Sequence, residues 1–165
     1  MSANIKLSDN KAELTDDAFY QKFRKGYLSS YDFFRLFFAK LSLHGVAFVT
    51  SGKLKDFIYG RKNEGQYKEL LADIHVLHNG VGYISKDMET NIDTLQMLGV
   101  LGRSNPSYET IINYYSPFSA SDTVAQLEAY SNDMEKLVQD FISIAKLLTT
   151  QYGVRFILQV MKCRY

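Results

Sequence analysis

Apolar side chains recur along this chain mostly at helical spacing, and near residue 110 the rhythm shortens to two. The longest regular series is Leu127, Tyr130, Met134, Leu137, Phe141, Ile144 and Leu148, whose gaps alternate between three and four. Such a seam predicts a helix that packs against another helix, in this chain or in a partner. With its flanks, 122–149 would make a rod about 42 Å long at 1.5 Å per residue. That matches the roughly 40 Å diameter of a compact domain of this size. Ser119 with Asp122 offers an approximate capping box at its start, and Gly153 an end. The apolar tail 154–165 fits either a strand or a short helix.

Upstream, Thr15 is placed to cap a helix with Asp16 and Asp17 in its first turn and Lys22, Arg24 and Lys25 before Gly26. Residues 30–45 predict a second helix with Phe33, Phe34, Phe37, Phe38 and Leu41 on one face. Core is the plainer use of that face, and a partner groove the sharper one. Residues 46–49 predict a small strand; Leu54, Phe57 and Ile58 mark a short helix ending near Gly60. Tyr67, Leu70, Leu71, Ile74, Leu77 and His78 trace another helical face, closed by Asn79-Gly80 as a left-handed cap. Residues 81–84 fit a strand or an extended connection.

Ser85 caps the next helix, with Asp87 and Glu89 in its first turns, Met88, Ile92, Leu95 and Leu98 facing inward, and Gly99 as its stop. A turn cluster at 102–107 then separates a short strand from a longer one. In the latter, Tyr108, Thr110, Ile112 and Tyr114 alternate with Glu109, Ile111, Asn113 and Tyr115.

A capped helix finishing in Leu95-Gln96-Met97-Leu98-Gly99-Val100-Leu101, followed by a two-stranded hairpin, resembles the winged-helix superfamily. By that resemblance, 51–60 and 66–79 are the first helices, 86–98 the recognition-type helix and 100–115 the wing. The expected architecture is then one domain, mainly α with a small β-hairpin. Its winged-helix-like unit (51–115) is flanked by an N-terminal helical pair (14–45) and a long C-terminal helix (119–151). Winged-helix proteins commonly bind DNA; others serve as docking modules. The arrangement is also similar to the small winged-helix accessory subunits of SMC-type and related ABC ATPases.

Charge weighs on that choice. The net formal charge is only +1, which does not announce a nucleic-acid binder. The recognition-type helix carries Lys86 against Asp87, Glu89 and Asp93, whereas a helix entering a phosphate-lined groove supplies cations. A DNA-binding reading would use Lys53, Lys55, Arg61 and Lys62 on the backbone, Lys86 and Asn91 on the helix, and Arg103 at the wing. Along the chain, ten Lys/Arg face three acids between Lys22 and Lys68, while six acids face Lys136 alone between Glu109 and Asp140. Attraction within one fold is the plainer consequence of that asymmetry.

Chemistry is sparse. His75 and His78 sit three apart, with His44 and Asp73 merely available, and no third ligand has metal-site spacing. Cys163 has no recognisable base beside it, and as the single cysteine it excludes an internal disulfide. Gly80-Val81-Gly82 lacks the lysine and remaining glycine of a phosphate loop. No cofactor and no catalytic residue is expected. Residues 1–10 contain no apolar run and nothing approaches a membrane span, so a cytoplasmic setting is expected. The leading expectation is a non-enzymatic interaction or assembly subunit, contacting a protein partner or a second copy through the 127–148 seam. A dimeric DNA-binding regulator comes second and a small enzyme third.

Overall fold

A computed structural model describes residues 28–104 and 106–152. The expected helix at 15–26, the stop at Gly153, the 154–165 tail and Cys163 lie outside the described residues.

Helix α1 (Ser30–Leu43) forms the centre. The Ser29 hydroxyl accepts from the Asp32 backbone N–H at 3.1 Å, satisfying a donor that the first turn leaves open. The helix ends where Gly45 takes φ +74°, with Val46 N–H donating to Leu41 C=O and Gly45 N–H to Ser42 C=O. This doubly bonded glycine stop is a Schellman motif. Phe33, Phe34, Leu36, Phe37, Phe38, Ala39 and Leu41 are all completely buried, so apolar contact surrounds the helix. The partner-groove reading of the phenylalanine face is thereby corrected: those rings are the core.

Strand β1 (Phe48–Thr50) leads directly into α2 (Ser51–Arg61), which buries Leu54, Phe57 and Ile58. A single 3₁₀ turn (Gly65–Tyr67) and irregular turns follow, then a hairpin of β2 (Leu77–His78) and β3 (Tyr83–Ile84). The expected helix over 66–79 is therefore absent. Tyr67, Leu70, Leu71 and Ile74 are buried at helical spacing as expected. Distant groups nevertheless take the bonds that would extend a helix. Lys62 Nζ donates to Ile74 C=O at 2.8 Å, and the His75 N–H is taken by Asp87 Oδ2 at 2.8 Å. Asn79-Gly80 turns the hairpin instead of capping a helix: Asn79 Oδ1 accepts from Val81 and Gly82 N–H, and Gly80 sits at φ +87°.

Helix α3 (Lys86–Met97) is capped by the Ser85 hydroxyl on Met88 N–H and ends at Gly99 with the same paired bonds as α1. Met88, Ile92 and Leu95 point inward; Leu98, expected to join them, is 62% exposed because the helix has already ended there. Strands β4 (Leu101–Arg103) and β5 (Thr110–Asn113) form the expected hairpin. Gly102 belongs to β4 rather than to the turn. A Cβ there would meet Tyr114 Cε2 at 2.6 Å, so glycine lets that ring lie across the strand. β1 adds to β5, giving an antiparallel sheet of order β1-β5-β4 with Phe48, Ile112 and Gly102 in register. Val49, Leu101 and Ile111 are buried against the helices.

The expected single rod is two helices. Ser116, not Ser119, is the cap: its hydroxyl accepts from Ser119 N–H, Ser119 reciprocates, and Pro117 occupies the first turn of α4 (Pro117–Gln126). Leu127 leaves helical geometry at φ −115°, ψ 33°, before α5 (Glu128–Tyr152) begins.

Candidate interaction surfaces

The seam on α5 is occupied by its own chain. Met134, Leu137 and Val138 are fully buried and Phe141 nearly so, while Leu127, Tyr130 and Ile144 pack partly against the same core. Phe141 meets Phe37 at 5.6 Å and Phe57 at 5.1 Å between ring centres, both edge-on. Met134, Leu137 and Phe141 thus offer no free docking face, which corrects the expectation of an open seam. The side chain of Leu148 lies outside the described residues.

The cations proposed for DNA are mostly engaged inside the molecule. Lys55 Nζ reaches Glu89 Oε1 at 2.5 Å, and Arg103 Nη2 reaches Glu89 Oε2 at 2.6 Å and Asp93 Oδ1 at 3.2 Å. Arg61 meets Glu64 at 2.5 Å and stands over the Phe57 ring, with Asp140 4.0 Å away. Lys62 is spent on the Ile74 carbonyl. Asn91, placed to read bases, donates to Ser30 Oγ at 3.0 Å and to Asp87 C=O at 2.8 Å. Lys53 and Lys86 are exposed. Partial burial disfavours charge on Glu89, but hydrogen bonds from Lys55 and Arg103 outweigh it and hold the carboxyl below its ordinary value. Glu135 behaves alike: burial opposes its charge, while Lys40, His44 and Gln139 bond it. Lys40 and His44 lie 3.1 and 2.5 Å from Glu135, so the basic and acidic stretches of the sequence meet inside one fold. Apart from Arg61 and Glu64, which lie three apart, these ion pairs join residues remote in sequence, and no local motif signals them.

Other apolar positions are open. On the β2–β3 hairpin, His78 and Tyr83 form a tilted ring cluster with Tyr59 of α2, Tyr83 lying 5.0 Å from Tyr59. Strand alternation turns the paired Leu77 and Ile84 to the opposite face. They are 70% and 51% exposed, and Val81 at the tip is 96% exposed. Met97 and Leu98, where α3 ends, are also exposed.

For chemistry the site is poor. A cleft of about 330 Å³ between α2 and α5 is lined by Lys53, Asp56, Phe57, Arg61 and Phe141 among others, and its guanidinium is already paired. Beneath it, Tyr67 donates to Asp140 at 2.6 Å; burial, then that bond, pushes its hydroxyl up to about 12. His75 and His78 do not share a helix. The first bonds Asp87 at 2.8 Å and the second joins the ring cluster. Among the described residues no three His, Cys, Asp or Glu side chains are grouped to hold a metal. No described helix is long and apolar enough to cross a membrane. No family model, curated protein or solved structure matches this chain.

Proposed function

We propose that this chain is a non-enzymatic interaction module with a winged-helix-type core, acting as an accessory subunit of a cytoplasmic protein assembly. The order α1, β1, α2, α3, β4, β5, with the small β2–β3 hairpin inserted between α2 and α3, supports the core reading, as does a first strand that joins the β4–β5 hairpin in the sequence β1-β5-β4. In this reading the three helices are α1, α2 and α3, and the unit begins at Ser30 rather than at residue 51. The observation that carries the interaction reading over the DNA-binding one is the internal engagement of Lys55, Arg61, Lys62 and Arg103. Binding to duplex DNA needs cations free to replace counterions on phosphates. Here Lys55, Arg61 and Arg103 neutralise the protein's own carboxylates and Lys62 binds a backbone carbonyl, while aliphatic side chains on the β2–β3 hairpin stay in water.

The test is purification of the tagged full chain from its own cell, beside a folded Leu77→Asp/Val81→Asp variant. A protein retained stoichiometrically by the wild type and lost by the variant supports the reading. Equal recovery of nucleic acid by both, with no protein, contradicts it.

A further inference from the structure

We infer that Glu89, assisted by Asp93, is an internal stand-in for phosphate that keeps nucleic acid off Lys55 and Arg103. Three elements converge at this point: α2 brings Lys55, β4 brings Arg103, and α3 brings both carboxylates. Their depths are ordered. The Lys55 and Arg103 side chains are 16% and 13% exposed, whereas Glu89 and Asp93 are 36% and 65% exposed. The acids lie outermost and the cations beneath them. One carboxylate bridges an ammonium and a guanidinium through its two oxygens, as a phosphate does with such a pair. Arg103 also keeps its Nε buried with no partner among the described residues, so the carboxylates do not exhaust its donors. A merely structural ion pair has no need to place its acid on the solvent side of two cations.

The contact is autoinhibitory: basic groups that would touch a duplex are present but occupied. The inference rests on the proposed function only for its winged-helix-type core, in which α3 is the helix that would meet a duplex. Salt-dependent binding to a random duplex should be compared for the full-length wild type and a Glu89→Ala/Asp93→Ala variant. A Glu89→Gln/Asp93→Asn variant, which keeps shape and acceptor oxygens, decides the matter if the first does not fold. Uncovering two cations should steepen the log–log salt slope by about 0.9 for each. The gain at 50 mM salt should then exceed the gain at 200 mM by roughly tenfold. Adding Lys55→Ala/Arg103→Ala should abolish that gain. An Asp122→Asn/Glu128→Gln variant carries the same charge change at exposed sites elsewhere and should bind like the wild type. An equal gain in that control, or no gain in a folded 89/93 variant, overturns the clamp and leaves the proposed function standing. Tight binding by the wild type itself overturns both.

Discussion

The Glu89 carboxylate ties α2, α3 and β4 together, and its charge is what makes the tie. Because its folded pKa is lowered, the stabilisation is present above the ordinary value of 4.5 and is lost as pH falls through the folded value. Glu135 has the same sign. Urea midpoints should therefore hold steady from pH 7 to about 5 and drop below about 4.5. Glu89→Gln should lower the neutral plateau and flatten the acid limb; an unchanged acid limb in that variant would refute the linkage. Asn113 is a second decisive residue. Its amide donates to the carbonyls of Phe38 and Val46 and accepts from Tyr115 N–H, pinning β5 to the end of α1 inside the core. Asn113→Leu should cost at least about 1–3 kcal/mol in chemical denaturation, the penalty for leaving a buried partner unpaired.

At the scale of elements, the caps and the seam make separate predictions. Ser116→Ala removes the acceptor that opens α4 and should cost about 1 kcal/mol. Leu137→Ala should cost about 2–5 kcal/mol without changing the oligomeric state seen by light scattering, because the side chain is already covered by its own chain. Loss of a dimer with unchanged stability would restore the open-seam reading. Helices α1 and α3 were legible in sequence because serine caps and glycine stops act over four or five residues. Residues 66–79 were not. Tyr67, Leu70, Leu71 and Ile74 keep a helical rhythm, yet Lys62 and Asp87 redirect the backbone from outside the window. The break at Leu127 was hidden for a related reason: the apolar spacing runs through it, although the Ser116-Pro117 start was locally readable. The seam was visible as a greasy stripe, but what packs on its Phe141 is Phe37 and Phe57, remote in sequence.

At the scale of the whole molecule, part of the uneven charge along the chain is paired internally among the described residues, as in Lys40 and His44 with Glu135. A basic stretch shows in a sequence; a partner brought up by tertiary folding does not. This is why Lys55, Lys62 and Arg103 could be singled out as cations without revealing that Glu89, the Ile74 carbonyl and Asp93 engage them, whereas Glu64, three residues from Arg61, was within reach of a local reading. A resemblance in the order of elements leaves the surface free to differ, so a winged-helix-type core would not by itself imply DNA binding. The most direct measurement is fluorescence anisotropy of the wild-type chain with a random duplex between 50 and 200 mM salt. The expected result is a Kd no tighter than about 10⁻⁴ M, with little salt dependence. A Kd near 10⁻⁶ M that weakens steeply with salt would show free cations on the surface and contradict an interaction module of this kind.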